Sequence, residues 1–364
     1  MKEVAIKDIC KKDSSALKQK ELLPEGKYPV FGASGIAGYL DRYHQKKEYI
    51  GIVKDGSGIG RVAFYPAESS LIGTMQYVLP KENYDIRYIG YCLQSLDLSK
   101  YKQGAAIPHI YFRDYGEQLV KVTDNWEEQH SIVSRLDSAF SHIDALKANA
   151  EKQLNEARKL FQAELTECMK PKEGWEEKKI GDVFQTYAGG TPLKSGKGYY
   201  EGGTIPWIRS GEVCQMYIRD CEMCITEEGM KNSSAKYYPV DTILVAMYGA
   251  TAAQVGILKF EATSNQAVCG ILPHKDFIPE YIYYWFTNIQ KDLAAQAQGG
   301  AQPNLSQVKI KKVSISYPSR TIQHSIVSHL DSLSSTIRKL EELQQKTLAE
   351  CDALKQAMLR EVFE

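Results

Sequence analysis

Residues Gln129–Leu146 read QHSIVSRLDSAFSHIDAL and residues Gln323–Leu340 read QHSIVSHLDSLSSTIRKL. Twelve of these eighteen positions are identical at an offset of 194 residues, from Gln129 to Gln323. A repeat of this quality organises a chain before any motif does. The match continues downstream through Lys152/Lys346, Leu154/Leu348, Leu160/Leu354, Gln162/Gln356 and Leu165/Leu359. Upstream, Gln103–Pro108 answers Gln298–Pro303, Tyr88-Ile89 aligns with Tyr281-Ile282, and Leu79-Pro80 with Leu272-Pro273. Each half is therefore a variable globular part followed by a well-matched helical part.

The helical parts follow from periodicity. Leu136, Ile143, Ala150 and Ala157 recur every seven residues, with Ala139, Leu146 and Leu160 in a complementary row. The second copy sets Leu330, Ile337, Cys351 and Met358 against Leu333, Leu340 and Leu354. Sustained apolar rows of this kind predict a coiled coil, with Gln153, Gln344 and Thr347 as polar interruptions of the seam. Each helix is expected to run ~35 residues, or ~50 Å at 1.5 Å per residue. The predicted interface is Leu136, Ile143, Leu146, Leu160, Leu330, Leu333, Ile337, Leu340, Leu354 and Met358.

The globular parts read as mixed α/β. In the second, Thr242–Met247, Val255–Leu258 and Ala267–Leu272 have strand character, and Pro279–Ala295 reads as a helix. In the first, Tyr49–Val53 and Arg61–Tyr65 are the corresponding strands. Changes of period and the Pro171-Lys172-Glu173-Gly174 linker divide the chain into 1–125, 126–170, 171–318 and 319–364. The expected class is α+β: two α/β domains, each followed by a long helix, related by an internal pseudo-twofold repeat.

Composition narrows the function. Apolar residues make up 43% and aromatics 10%, as in a globular protein. No apolar run reaches the ~18 residues of a membrane span, the first residues lack a signal peptide's apolar stretch, and the eight cysteines have no framework spacing. A cytoplasmic protein with reduced thiols and no membrane contact is expected. Forty-five basic residues cancel forty-five acidic ones. If such a chain holds DNA, its basic residues cluster on one face or a partner supplies phosphate contacts.

Glycine motifs that resemble nucleotide-binding loops fail on spacing. Gly190–Gly198 is one residue too long for a phosphate loop, and Gly198 stands where Ser or Thr would reach magnesium. Gly56–Arg61 puts Arg61 at the third glycine position of a dinucleotide fingerprint and leads into a strand. It reads instead as a tight hairpin presenting Lys54 and Arg61. Cys221 and Cys224 form a lone pair that Cys214 does not complete to a zinc spacing. His130, His142, His324 and His329 decorate the helices. No metal site and no catalytic constellation is expected.

Two α/β halves, each trailed by a near-identical helix, resemble the specificity subunits of type I restriction-modification systems over essentially the whole chain. The resemblance rests on Trp175–Val183, Gly189-Gly190-Thr191-Pro192, Ile205–Val213, Gly299–Ser306 and Gln323–Val327 after Pro318. The first half matches at Val4–Ile9 but lacks the Gly-Gly-Thr-Pro and Pro-Trp-Ile motifs. The resemblance implies target recognition domains at 1–125 and 171–318, held apart by helices at 126–170 and 319–364 that pair antiparallel. It implies a bipartite double-stranded DNA site and docking of adenine methyltransferase subunits, normally two, and of a restriction/translocase subunit. S-adenosylmethionine, ATP and magnesium would belong to those partners, and this chain would be non-catalytic.

Base edges need paired donors and acceptors, whereas phosphates take cations, hydroxyls and amides. By that rule the candidate DNA contacts in the first half are Ser34, Lys54, Ser57, Arg61, Lys102 and His109. Those in the second are Thr191, Lys194, Lys197, Tyr199, Arg209, Ser210, Tyr248, Gln302 and Asn304. Two other readings use the same features. One is a coiled-coil scaffold that binds only proteins, and the other is the recognition part of a fused restriction-modification enzyme.

Overall fold

No glycine or proline interrupts Trp126–Met169 or Arg320–Phe363, and each forms one unbroken helix of 44 residues, longer than the repeat alone implies. The structure is a computed structural model describing residues 1–104, 107–193, 198–296 and 305–364. It divides into two units: Met1–Lys152 with Leu343–Glu364, and Gln153–Glu342. Both long helices contribute to both units. No helix among the described residues is long and apolar enough to cross a membrane.

In the first unit, an antiparallel sheet orders the strands Cys10–Ser14, Met75–Pro80, Tyr49–Val53 and Val62–Tyr65. A second sheet joins Gly35–Leu40, Tyr28–Gly32 and Ser70–Leu71, and Lys2–Ala5 pairs with Leu119–Val122. Ile50, Ile52 and Val78 of the first sheet share a core with Ile89 and Leu93 of the helix Ile86–Ser95. Leu136, Phe140, Ile143, Cys351 and Leu359 of the long helices complete it. Burying each aliphatic side chain is worth ~1.5–3 kcal/mol.

The second unit has a five-stranded sheet ordered Thr186–Ala188, Val268–Ile271, Ile243–Ala246, Val255–Leu258 and Tyr217–Ile218, with only the last pair parallel. A three-stranded sheet orders Cys224–Ile225, Ile205–Ile208 and Thr263–Ser264. Glu176–Lys179 pairs with Ser314–Tyr317. The helix Pro279–Ala295 forms over the span its pattern predicts, with Pro at its first position. Its Tyr281, Ile282 and Trp285 pack with Ile243, Ile257 and Ile271 of the sheet and with Leu165 and Leu330 of the long helices.

One repeated residue explains how each long helix is seated. Gln129 is fully buried; it accepts the Asp85 N–H at 2.8 Å and donates to the Asn83 and Thr123 carbonyls at 3.1 and 3.0 Å. Gln323, equally buried, accepts the Ile278 N–H at 3.0 Å and donates to the Asp276 and Pro318 carbonyls, both at 3.0 Å. One buried amide thus pairs with three backbone groups in each unit, among them the buried Thr123 carbonyl and the buried Ile278 N–H. About two turns further on, Tyr91 donates to Asp137, and Tyr284 donates to Asp331 at 2.6 Å.

The residues of the expected seam divide by burial. Leu136, Ile143, Ala150, Leu330 and Cys351 are buried, and Ile337, Met358, Leu333 and Leu340 half-buried. The complementary row requires correction: Leu146, Leu160 and Leu354 are 56%, 58% and 52% exposed. Their place on the first helix is taken by Phe140, Lys147, Leu154 and Phe161, each four residues after a member of the first row. On a helix, positions three and four residues away flank the same stripe, and the facing surface decides which side is covered. Here it covers lysine stems. The Lys147 ammonium pairs with Asp352 at 2.6 Å, and that of Lys355 pairs with Asp144 at 2.5 Å and lies 5.2 Å above the Phe140 ring. In the second unit, Arg158 pairs with Glu341 at 2.8 Å and His329 with Glu164 at 2.9 Å.

Candidate nucleic-acid interface

The six first-half candidates converge on one rim. The chain leaves the Tyr49–Val53 strand, turns through Gly56 and Gly60, and re-enters the sheet. The Val53 N–H donates to the Arg61 carbonyl at 3.0 Å, and the Gly60 N–H to the Val53 carbonyl at 2.8 Å. Gly60 has φ +83°, and a Cβ there would lie 2.9 Å from the Ser99 amide nitrogen, so the turn requires glycine. A strand, not a helix, follows at Val62, which excludes the dinucleotide-loop context.

Residues 102–104 and 107–110 pack over this turn. The Gly56 N–H donates to the Pro108 carbonyl at 2.9 Å, and the Ile110 N–H to the Lys54 carbonyl at 2.9 Å. Asp55 ties the two segments together, receiving His109 Nδ1 at 2.7 Å and Lys54 Nζ at 2.7 Å. Burial works to raise the Asp55 pKa, but the bonds from His109 and Lys54 outweigh it and hold the carboxyl below its usual range. Arg61 donates to the Ala33 carbonyl at 2.9 Å, bringing the exposed turn at Ser34 to the same rim. Ser57 and Lys102 are exposed beside it.

This rim contains two side chains that sequence reasoning missed. Tyr111 is 43% exposed and stacks with His109 at 6.4 Å between ring centres, and the Arg113 guanidinium lies 4.9 Å above its ring. A cation on an exposed aromatic is a platform of the kind that nucleic acids meet. The alternation of His109, Tyr111 and Arg113 was the signal available.

In the second unit, four segments meet. The Gly190 N–H donates to the Ser264 carbonyl at 2.9 Å, and Trp207 Nε1 to the Gly190 carbonyl at 2.9 Å. The Asn265 N–H donates to the Ile208 carbonyl at 3.0 Å, and the Met247 N–H to the Ala267 carbonyl at 2.7 Å. A Cβ on Gly190 would sit 2.1 Å from the Ala235 amide, which accounts for glycine in the Gly-Gly-Thr-Pro motif. Thr191, Arg209, Ser210 and Tyr248 are thereby gathered, with Tyr248 37% exposed. Thr191 donates to Gln266, a loop amide that the sequence did not single out.

Tyr199 lies on a neighbouring loop, where its carbonyl accepts the Thr226 N–H at 3.0 Å. The next residue links that loop to the site, since Tyr200 packs edge-on against Trp207 and its hydroxyl donates to the Pro192 carbonyl at 2.6 Å. Arg209 is not a free cation: it donates to Glu222 and, at 3.4 Å, to Glu212. Lys194, Lys197, Gln302 and Asn304 lie outside the described residues.

Each α+β unit carries a polar, glycine-shaped loop rim and includes part of both long helices. The model of the type I restriction modification DNA specificity domain matches residues 1–156 and again 172–349. The chain belongs to that family. It is 27% identical over 265 residues to the Escherichia coli type I restriction enzyme EcoR124I/EcoR124II specificity subunit, covering 71% of this chain and 65% of that one. It is 33% identical over 193 residues to the MjaIX specificity subunit of Methanocaldococcus jannaschii, covering 51% and 44%. The aligned stretches thus span less than two thirds of these relatives. Among solved structures, one described under complex assembly and conformational transition of the type I R-M system superposes with TM-score 0.77 at 15% identity, over 99% of this chain and 96% of that one. The HsdS subunit of Thermoanaerobacter tengcongensis gives 0.55 at 15% identity, over 99% and 95%. At that identity the likeness is one of fold.

Proposed function

We propose that this chain is the sequence-reading, non-catalytic subunit of a type I restriction-modification complex, reading a bipartite site in double-stranded DNA. The carrying observation is that the specificity-domain model matches twice, once over each half. Recognition domains at 1–125 and 171–318 each present one rim, so each reads its own half-site. The long helices, 126–170 and 319–364, act as an antiparallel coiled-coil spacer. Support comes from the ion pairs Asp144–Lys355 and Lys147–Asp352 in one unit and Arg158–Glu341 and Glu164–His329 in the other: as numbers rise along one helix, its partners' numbers fall.

Two adenine methyltransferase subunits carrying S-adenosylmethionine, and a restriction/translocase subunit using ATP and magnesium, dock on this scaffold in the cytoplasm. The balance of 45 basic and 45 acidic residues suits a division in which the partners supply part of the phosphate contacts. Exchanging residues 175–318 for those of another family member tests the reading, with the methylated sequence of the host genome as readout. One half of the site should change and the other stay. A change in both halves, or in neither, overturns it, as does transfer of labelled methyl groups to DNA by the purified chain alone.

A further inference from the structure

Among the described residues, one group of three His, Cys, Asp or Glu side chains gathers its ligand atoms within 4.8 Å of one another: Glu164, Cys168 and His329. Glu164 and Cys168 stand four residues apart on one long helix, so their side chains share a face. His329 comes from the other long helix, and its Nε2 lies 2.9 Å from Glu164 Oε1. Cys168 Sγ lies 3.9 Å from the same oxygen. We propose that these three side chains form a zinc site that clips the two helices together within the second unit.

The donor set is that of zinc: a thiolate, an imidazole nitrogen and a carboxylate oxygen, with water in the fourth tetrahedral position. Ligand atoms 2.0–2.3 Å from a tetrahedral ion stand roughly 3.3–3.8 Å apart. The separations of 2.9 and 3.9 Å lie on either side of that range. The widest, at most 4.8 Å, must close by about 1 Å for that geometry. The side chains have room for it, since His329 and Glu164 are 54% and 40% exposed. Burial, then the Glu164 charge, raises the Cys168 pKa against a lowering by Lys172. Zinc binding forms the zinc–sulfur bond and releases the thiol proton to solvent. The sequence assigns a metal to no residue because these ligands lie in different copies of the repeat, with spacing that matches no zinc motif.

The test uses the full chain, freed of metal by a chelator and titrated with Zn²⁺ against a chromophoric competitor. One equivalent should bind. Cys168→Ser, His329→Ala and Glu164→Gln should each weaken it beyond the roughly 10–100-fold that outer-shell changes cost. Cys221→Ser with Cys224→Ser should leave it unchanged. In the unaltered chain, Zn²⁺ should protect Cys168 from alkylation as mapped by mass spectrometry, a readout independent of how any variant folds. Failure to bind one equivalent, affinity that survives loss of Cys168 and His329, or unprotected Cys168 overturns the site.

Discussion

The two rims are built on matched footings and finished differently. Beneath both, a buried glutamine closes three backbone bonds, Gln129 in one unit and Gln323 in the other, and a tyrosine reaches an aspartate on the adjoining long helix. Above them the electrostatics part. The first rim exposes Lys102 and Arg61, the latter donating to the Ala33 carbonyl, and sets Arg113, paired with Asp114, over Tyr111. The second holds Arg209 between Glu212 and Glu222. A scaffold kept constant by buried hydrogen bonds leaves its loops free to vary in charge.

The largest effect should come from the scaffold. Ile143→Asp together with Leu330→Asp puts a charge into each unit's core, where both side chains are 4% exposed or less. An unpaired buried charge costs on the order of 3–5 kcal/mol, so thermal unfolding should shift sharply downward. Unchanged melting would remove the long helices from the load of holding either core.

The matched footings can be broken separately. Gln129→Ala and Gln323→Ala should each destabilise by about 1–3 kcal/mol, the cost of orphaning buried backbone groups. Near-equal values in chemical denaturation support equivalent seats for the two helices. A loss confined to one variant shows that the repeated residue serves only one unit.

The smallest and most informative difference lies between the two arginines. Arg61→Ala should weaken DNA retention nearly uniformly across sequences and reduce the salt slope by about 1, as loss of one phosphate contact does. Arg209→Ala should relax one base position at about 1–3 kcal/mol, because an arginine pre-set by two carboxylates offers a fixed fork to a guanine edge. Affinity measured against salt for cognate and altered sites separates the two. The same salt slope change in both variants erases the distinction between the rims.

The long helices, the repeat and the strands at Tyr49–Val53 and Val255–Leu258 were legible in the sequence, because their signals are local: uninterrupted helical periodicity, near-identity between copies, and short apolar runs between turn residues. Residues such as Lys54, Arg61, Thr191 and Arg209 were legible as loop candidates for the same reason. The side of the helical stripe that is buried was decided only by tertiary structure, which covers Phe140, Lys147 and Phe161 and exposes Leu146 and Leu160. An apolar count favours the leucines, whereas a facing helix that supplies Asp352 and Asp144 takes lysine stems instead. The bonding of His109 to Asp55, 54 residues away, and of Thr191 to Gln266, 75 residues away, was likewise beyond sequence reading. Periodicity describes a segment in its own frame; partners across such separations exist only once the sheets have paired and the loops have met.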